Sequence, residues 1–310
     1  MKIAIVGAGP IGSLLAAHLI SGGHQVTLCE TNPDLREVLE KKGIQVSGVR
    51  DFQVEVESVV PAVDNLGDDP PEILFVAVKA QVLPLVSSSI QEFAGPEMTV
   101  VSWQNGIDTE RVLADHLRPQ QVVRAVINHG VSFAAPAQVV MAFDHPPHFV
   151  QEVDPAGASK ATRLAQVLTN SGLETERSEH LESAVWKKGV LNAALNALCA
   201  LTGMNMREAW EDSYASWLAK QILREGIQVA RANEVFIGHQ FYRWALDYLR
   251  EAGSHKPSML LDREAGRRTE IDFINGKIVE YGEIAGVPTP FNRTMVALVK
   301  SVEKKQVTQR

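Results

Sequence analysis

Cysteine and long apolar runs are scarce in this sequence. Only two cysteines, Cys29 and Cys199, occur among 310 residues, and both lie in apolar surroundings that suit buried free thiols better than a disulfide or a metal site. No apolar run approaches the roughly 20 residues of a membrane-spanning helix, and the opening segment MKIAIV lacks the pattern of a secretory signal. These absences predict a cytoplasmic protein that does not enter a membrane.

An excess of positive charge is also missing. The chain has 30 lysines and arginines against 37 aspartates and glutamates, which gives a formal net charge of −7. The basic cluster from Lys300 to Lys305 contains Glu303 and is typical of a solvated helix end. This charge balance disfavours a nucleic acid or an anionic membrane as partner.

Apolar residues make up 45% of the chain, and the length favours two domains. Up to about Val131, short apolar strands alternate with helical periodicity, which predicts an α/β fold with a doubly wound, Rossmann-type parallel sheet. The segment from Gly130 to Gln151 has prolines and short alternating runs, so we expect it to close the sheet with antiparallel strands. The predicted parallel strands are KIAIV, QVTLC, EILFVAV, MTVVSW and QVVRAVI.

Beyond about Ala158 the periodicity becomes almost wholly helical, which predicts an all-helical C-terminal domain. The change in character places the boundary near residue 175. We therefore predict a dinucleotide-binding domain over residues 1–175 and a helical substrate and catalytic domain over 176–310. The predicted helices are Ser159 to Ser171, Glu182 to Leu201, Tyr214 to Ala232, Phe241 to Glu251, Thr269 to Ala285 and Asn292 to Lys305.

The segment GAGPIG follows the first predicted strand and precedes a predicted helix, a context typical of dinucleotide-binding loops. In this pattern Gly7 permits the tight turn, Gly9 lets a pyrophosphate approach the backbone, and Gly12 lets the helix pack on the strand. Pro10 and Ile11 complete the loop. The start of the helix then offers backbone amides and a positive dipole end to the phosphates.

Glu30 ends the second predicted strand, 18 residues beyond Gly12. A carboxylate at this position accepts hydrogen bonds from the ribose hydroxyls of NAD(H) and repels the 2′-phosphate of NADP(H). Arg36, in the next predicted helix, could turn towards the site. Glu30 therefore favours NAD(H), and NADP(H) stays open as the alternative.

Further polar residues occur at strand ends and in the helical half. Lys79 and Asn105 each follow a predicted strand, where ligands bind in open α/β sheets, although caps and turns also use these residue types. Ser258 is expected in a loop after Pro257, and Glu270 within a helix, where it could be an ordinary solvated acid. The run from His145 to His148, HPPH, lacks the other ligands of a metal site, so we predict no metal.

The segment WKKGVLNAALNALCALTG carries Lys188, Asn192 and Asn196 at four-residue intervals. Such a spacing keeps the three side chains on roughly one side of a helix. Because an unpartnered lysine or amide is costly to bury among leucines and valines, the row needs partners. These partners are either ligands or polar groups of a neighbouring helix.

Taken together, the motifs resemble those of the 2-dehydropantoate 2-reductase (ketopantoate reductase) family over nearly the whole chain. The family is generally associated with NADPH, whereas Glu30 and Thr31 stand here in place of the basic residue expected after the second strand. The motifs that carry the resemblance are GAGPIG, VKA at Lys79, QNG at Asn105, WKKGVLNAALN, SMLLDREAGRRTEIDFINGKI and GVPTPFN.

The resemblance implies an NAD(P)-dependent reduction of ketopantoate to pantoate, the precursor of pantothenate and coenzyme A. It implies that Lys188 is the general acid, and that Glu270 takes part in catalysis by ordering the substrate or the cofactor ribose. Lys79 would contact the cofactor, and Asn105 would reach both cofactor and substrate. The implied substrate-binding residues are Asn105, Asn192, Asn196 and Ser258.

Two other functions stay open at this point. A dehydrogenase of the same architecture could act on another small 2-keto or hydroxy acid, and a nucleotide-binding sensor could keep the glycine loop without catalysis. The sensor would have little use for Lys188, Asn192, Asn196, Ser258 and Glu270 together. A homodimer is possible through apolar surface on the second domain.

Overall fold

The computed structural model describes residues 1–308, with side chains up to Lys305. Contacts within the described chain divide it into two units. Unit 1 comprises Met1–Gln104 and Asp108–Leu181, and unit 2 comprises Asn105–Ile107 and the described residues from Glu182 onwards. The short segment that contains Asn105 therefore belongs with the C-terminal half of the chain.

Eight strands of the described residues form the main sheet of unit 1, in the order β12-β11-β8-β7-β6-β1-β2-β5. All neighbouring pairs are parallel except β11 with β8. Strands β6, β7 and β8 are buried along their whole length, as expected for strands covered on both faces. The strands are β1 Lys2–Val6, β2 Gln25–Cys29, β5 Ser58–Val60, β6 Ile73–Val76, β7 Thr99–Ser102, β8 Val122–Val126, β11 His148–Glu152 and β12 Thr175–Arg177.

A second, four-stranded sheet corrects one prediction. Its strands in the described chain have the order β4-β3-β10-β9, with bounds β3 Ile44–Gly48, β4 Phe52–Val54, β9 His129–Ala135 and β10 Gln138–Asp144. Of the segment expected to close the main sheet with antiparallel strands, only β11 does so. The hairpin β9–β10 instead joins the second sheet, where β10 pairs in parallel with β3.

Helices cover the main sheet. The start of the second helix, α2, is set by a capping side chain. The Asn32 side chain accepts a hydrogen bond from the Asp34 amide at 2.9 Å, the usual arrangement at a helix N-cap. A core of buried leucines, isoleucines and valines lies between these helices and the strands. The helices of unit 1 are α1 Pro10–Ser21, α2 Pro33–Lys42, α3 Leu83–Gln91, α4 Thr109–Ala114 and α5 Ala158–Asn170.

Unit 2 is helical, and two helix predictions need correction there. The predicted helix from Thr269 to Ala285 begins instead as a 3-10 turn, Ile271–Phe273, before α11 starts at Asn275. Ser258 is the first residue of α10 rather than part of a loop, and Pro257 is the N-cap residue before it. The helices are α6 Leu181–Thr202, α7 Met206–Glu211, α8 Ser213–Ala232, α9 Phe241–Glu251, α10 Ser258–Glu264, α11 Asn275–Ile284 and α12 Pro290–Thr308.

The division into units differs in detail from the predicted boundary between residues 175 and 176. That boundary falls inside β12, a strand of the main sheet, whereas unit 1 continues to Leu181 at the first residue of α6. Within residues 1–308, every helix is too short or too polar to cross a membrane.

Candidate active site

The glycine loop after β1 has the geometry that a pyrophosphate needs. Gly7 has a φ of +101°, which favours glycine, and it turns the chain sharply at the strand end. A Cβ on Gly12 would lie 1.9 Å from the Gly7 carbonyl oxygen, so only glycine lets α1 start this close to the strand. Apart from Gly9 and its neighbours along the chain, no atom of the described residues lies within 4 Å of the position where Gly9 would carry a Cβ. The loop is therefore closed at its two ends and open in the middle.

The start of α1 completes this cradle. Pro10 occupies the first helical turn, and Ile11 packs partly against the core. The Ser13 hydroxyl donates to the Ala8 carbonyl at 2.9 Å and holds the loop against the helix. A helix N-terminus next to open backbone is an anion-binding arrangement, so these residues fit a dinucleotide pyrophosphate.

Glu30 is fastened to the glycine loop. Its Oε2 accepts a hydrogen bond from the Ala8 amide at 3.1 Å, and its Oε1 accepts one from the Asn32 amide at 2.9 Å. Each carboxylate oxygen can accept more than one hydrogen bond. The carboxylate is thus positioned by backbone groups and keeps acceptor capacity for ribose hydroxyls.

Arg36 is held beside the same turn. Its Nη1 donates to the carbonyl oxygens of Glu30, at 2.9 Å, and Thr31, at 2.8 Å. The guanidinium therefore stabilises the turn between β2 and α2 through backbone oxygens. To bind a 2′-phosphate, Arg36 would have to use its other N–H groups or give up these contacts.

The ends of β6 and β7 are joined by a buried polar network that the sequence analysis missed. Gln104 donates through Nε2 to the Val76 carbonyl at 2.6 Å, and the Ser102 hydroxyl donates to Gln104 Oε1 at 2.8 Å. Arg124 on β8 donates to Ser102 Oγ at 3.0 Å. One feature of the sequence could have predicted this network, namely the arginine inside the apolar run QVVRAVI. A buried arginine in a strand requires hydrogen-bond partners.

Lys79 lies where the sequence predicted it, just beyond β6. It caps the 3-10 turn Ala80–Val82, which leads into α3, and it is half-buried. The network at Val76 fixes the strand end three residues before it. This is the edge of the sheet where ligands of open α/β folds bind.

In unit 2, the segments that contain Asn105 and Glu270 pack at the turn of α6 that carries Lys188. Ile107, from the segment that contains Asn105, donates its backbone amide to the Phe273 carbonyl at 2.9 Å. Phe273 in turn donates its amide to the Glu270 carbonyl at 3.0 Å. The Ile107 side chain contacts α6 at Gly189, where a Cβ would lie 3.1 Å from Ile107 Cδ1. Gly189 is the neighbour of Lys188, so these contacts bring the three segments to one turn of α6.

The polar row of α6 lies on a single continuous helix. Lys188 and Asn192 are half-buried, and Asn196 is 5% exposed. In the part of the chain that the structure describes, neither the Asn192 amide nor the Asn196 amide has a protein hydrogen-bond partner. An interhelical polar seam would pair these amides with protein groups, so the arrangement favours the ligand interpretation of the row.

Glu270 and Ser258 differ in their surroundings. Glu270 is 7% exposed and precedes the 3-10 turn rather than lying within a helix, so it is not an ordinary solvated helix acid. Glu303 of α12 fixes the adjoining chain by accepting the Thr269 amide at 2.7 Å. Ser258 is exposed at the start of α10, and its role in substrate binding stays a prediction.

The HPPH segment has neighbours that the sequence could not identify. His129 on β9 and Asp144 on β10 bring ligand-type atoms to within 4.8 Å of those of His148. However, His148 Nδ1 accepts a hydrogen bond from the Asn128 amide at 3.1 Å, which leaves the ring proton on Nε2, and Asp144 pairs with Arg50 at 3.0 Å. A metal at His148 Nε2 would need that nitrogen deprotonated, and the expectation that the chain binds no metal stays a prediction.

The main sheet, the glycine cradle and the carboxylate after β2 define a nicotinamide-dependent oxidoreductase. Comparison with known proteins identifies the particular family. The family model described as "Ketopantoate reductase PanE/ApbA" matches residues 3–151, and "Ketopantoate reductase PanE/ApbA C terminal" matches residues 180–303. The chain belongs to the ketopantoate reductase family.

Relatives of known name agree with this assignment. The chain is 32% identical to a 2-dehydropantoate 2-reductase of Archaeoglobus fulgidus, over 97% of this chain and 98% of that protein. A solved PanE/ApbA family ketopantoate reductase from Ralstonia eutropha is 27% identical, with a TM-score of 0.88 over 99% of both chains. D-mandelate dehydrogenase solved with NADH and anilino(oxo)acetate is 25% identical, with a TM-score of 0.90 over 99% of both chains.

Proposed function

We propose that this protein reduces the 2-keto group of ketopantoate to give pantoate. The observation that carries the proposal is the row of Lys188, Asn192 and Asn196 on α6, with the segments of Asn105 and Glu270 packed at the same turn. The names of the relatives support this substrate. A reduced nicotinamide held by the glycine cradle of unit 1 would supply the hydride.

Lys188 is assigned the role of general acid. As the carbonyl carbon gains a hydride, negative charge develops on its oxygen, and an ammonium group can stabilise that charge and then donate the proton. Because Lys188 lies on the long helix α6, its backbone is held in a fixed position. A catalytic group held near the reactive geometry lowers the entropic part of the barrier.

The neutral polar side chains would hold the substrate. Asn105, Asn192 and Asn196 can donate to a carboxylate and accept from a hydroxyl with the same amide group, and Ser258 adds a hydroxyl. Because Asn192 and Asn196 have no protein partner among the described residues, binding a ligand satisfies them without breaking existing hydrogen bonds. Glu270 would order a hydroxyl of the substrate or of the cofactor ribose, and Lys79 would contact the cofactor.

We infer a preference for NAD(H) over NADP(H). Glu30 is held with its carboxylate against the glycine loop, where it attracts ribose hydroxyls and repels a 2′-phosphate. The contacts of Arg36 with two backbone carbonyls occupy one of its nitrogens. The structural relative with NADH bound is consistent with this choice.

A second candidate substrate class follows from one comparison. The similarity to D-mandelate dehydrogenase, a TM-score of 0.90, extends over 99% of both chains. The chemistry of Lys188 and the amides applies equally to another 2-keto acid with a bulkier, aromatic side chain. The difference between the two candidates lies in the shape of the substrate, not in the reaction.

The test is a steady-state assay that follows the absorbance of the reduced nicotinamide. Purified protein is supplied with NADH or NADPH and with ketopantoate, benzoylformate or pyruvate. The proposal predicts the highest kcat/KM for ketopantoate with NADH. A higher kcat/KM for benzoylformate supports the second candidate. Tight cofactor binding without turnover on any 2-keto acid contradicts both and supports a sensor.

We also propose a homodimer in a reducing, cytoplasmic setting. Unit 2 exposes several large aromatic side chains, among them Tyr214, Trp217 and Trp244, and such surface often marks an interface. Both cysteines are buried and free, and burial raises the pKa of each thiol to about 12. Sedimentation velocity of wild type beside Trp217→Gln tests the dimer, which should weaken in the variant.

A further inference from the structure

A chain of buried polar groups in unit 2 ends on the site helix. It consists of Glu225 on α8, Asn292 on α12 and Asn275 on α11, and we call it the relay. Glu225 is 6% exposed, and both asparagines are 0% exposed. Burying three polar side chains in a helical core is costly unless each is hydrogen-bonded.

The relay starts at a group that can only accept hydrogen bonds. The Glu225 carboxylate accepts from the backbone amides of Phe291 and Asn292, both at 2.9 Å, and from Asn292 Nδ2 at 2.7 Å. The first two are amides of the α12 N-terminus, whose positive dipole end also favours the negative charge. Asn292 must therefore direct its NH2 group towards Glu225.

Each amide then fixes the orientation of the next. With its NH2 group on Glu225, Asn292 presents Oδ1 to Asn275 Nδ2 at a distance of 3.0 Å. Asn275 Nδ2 also donates to the Ala193 carbonyl of α6 at 3.1 Å. A reversed Asn275 amide would bring its own oxygen against these two acceptors. The direction set by Glu225 thus reaches the backbone of α6.

The end of the relay is close to the polar row. Ala193 follows Asn192 directly and precedes Asn196 by three residues, on the same helix. At the same level, α6 packs tightly on α8: a Cβ on Gly226 would lie 2.9 Å from Val190 Cγ2. A polar contact at Ala193 and an apolar contact at Val190 therefore both restrain α6 next to Asn192.

The molecule tolerates an unsatisfied atom in this arrangement. Asn275 Oδ1 is buried and has no hydrogen-bond partner in the described part of the chain. An unsatisfied buried acceptor lowers stability. An apolar side chain at position 275 would remove this atom but would also leave Asn292 Oδ1 without its donor. Asn275 therefore links α12 to α6 while leaving one of its own atoms unsatisfied.

We propose that Glu225, Asn292 and Asn275 are positioning residues that hold α6 so that Lys188, Asn192 and Asn196 meet the substrate correctly. This inference rests on the proposed function of α6. None of the three touches the reacting atoms in our account. A displacement of about 1 Å in a catalytic group can lower the rate on the order of a hundredfold. The relay therefore affects the rate by holding α6, and with it Lys188, in position.

The test compares Asn275→Leu with a matched control, Asn233→Leu. Asn233 also bridges helices by its NH2 group, from the end of α8 to the Tyr281 carbonyl of α11, and both of these hydrogen bonds end on helices other than α6. Steady-state kinetics are measured well below both unfolding midpoints, together with cofactor affinity and amide hydrogen exchange along α6. Because the glycine cradle and Glu30 lie in unit 1, cofactor affinity should change less than kcat/KM in both variants.

We expect Asn275→Leu to lower kcat/KM at least tenfold, mainly through kcat, and to speed hydrogen exchange in the middle of α6. Asn233→Leu should lose stability and keep kcat/KM within about twofold. Equal kcat/KM and equal exchange in the two variants would overturn the proposal. If wild type reduces no 2-keto acid, the proposed function fails, while the exchange comparison still decides whether the relay holds α6.

A milder variant covers the case in which Asn275→Leu does not fold. Glu225→Gln keeps the volume but replaces one accepting oxygen with an NH2 group, so the α12 N-terminus and Asn292 can no longer both be satisfied. We expect a three- to tenfold loss in kcat, with faster exchange in α6. Wild-type kcat and wild-type exchange in this variant would overturn the proposal.

Discussion

Glu30 illustrates how one side chain can set both structure and specificity. Its two oxygens bridge the Ala8 amide of the glycine loop and the Asn32 amide at the start of α2. The negative charge therefore lies where a cofactor ribose would meet the loop. The preference for NAD(H) that we propose would then require no further residue, because a carboxylate and a 2′-phosphate repel each other at short distance.

Replacing Glu30 with glutamine should change the cofactor preference. Glutamine keeps the size and one accepting oxygen but removes the charge, so the ratio of kcat/KM for NADPH over NADH should rise at least tenfold. Parallel assays with the two cofactors measure this ratio. Glu37→Gln, an exposed acid on α2 paired with Lys41, is the control and should leave the ratio unchanged. An unchanged ratio in Glu30→Gln would remove Glu30 from the account of specificity.

His18 should make stability depend on pH. Burial lowers the pKa of His18, which lies within α1 with Nδ1 3.0 Å from the Ser171 carbonyl oxygen. Below pH ~6.5 the unfolded chain takes up a proton that the folded protein resists, so stability falls as the pH drops, by at most about 1.4 kcal/mol per pH unit. Urea unfolding at pH 7.5 and 5.5 measures the loss.

The variant His18→Asn isolates this contribution. Asparagine can donate to Ser171 in place of Nδ1 but does not titrate, so the loss of stability between pH 7.5 and 5.5 should shrink. His239→Asn, at an exposed position, should keep the wild-type loss. The same loss in His18→Asn and wild type would show that another group dominates the acid sensitivity.

At the scale of elements, the approach of α6 to α8 depends on one glycine. A Cβ on Gly226 would lie 2.9 Å from Val190 Cγ2 and 3.3 Å from Ile278 Cδ1. Alanine is ordinarily the better helix former by about 1 kcal/mol, but crowding a packed core costs about 1–3 kcal/mol. The destabilisation from crowding should therefore exceed the gain in helix propensity at position 226.

We predict that Gly226→Ala lowers the free energy of unfolding by about 1–2 kcal/mol in urea titrations. Gly95→Ala is the comparison, because a Cβ there meets no atom of the described residues within 4 Å, apart from Gly95 and its neighbours along the chain. That variant should stay within about 0.5 kcal/mol of wild type. A stabilised Gly226→Ala would mean that α6 can move away from α8 without penalty.

Strongly apolar strands and long helices could be predicted from the sequence, and mixed polar strands could not. The strands β1, β6 and β8 are apolar except for Lys2 and Arg124, α8 has sustained helical periodicity, and α6 is too long for a strand, so pattern and length identify them. In contrast, β3 and β4 carry exposed Gln45 and Gln53. Their pairing with the hairpin β9–β10 is a tertiary contact that no local pattern specifies.

The candidate site divides in the same way. The glycine loop, Glu30 and the row of Lys188, Asn192 and Asn196 follow from spacing, because each lies on one element. The contact of Ile107 with Phe273 joins residues far apart in the chain, and so do the links of Arg124 with Ser102 and of Asn275 with Ala193. Such links depend on how elements pack, which composition and periodicity do not encode residue by residue.

At the scale of the whole molecule, the proposed function gives the two units different tasks. Unit 1 would supply the cradle for a nicotinamide cofactor, and unit 2 would supply the acid and the substrate amides, including Asn105 from the short segment that groups with it. The family assignment, over residues 3–151 and 180–303, includes both units. The central claim is that Lys188 donates the proton to the reduced carbonyl.

The most direct measurement is a single-turnover assay of Lys188→Ala beside Lys187→Ala, with saturating NADH and ketopantoate. Lys187 is the adjacent lysine on α6 and is also half-buried. The two lysines carry the same charge, but their side chains project from different sides of the helix. Loss of a general acid typically costs about 10²–10⁴ in rate. The account predicts such a loss in Lys188→Ala and a rate within about threefold of wild type in Lys187→Ala. Equal rates in the two variants would contradict it.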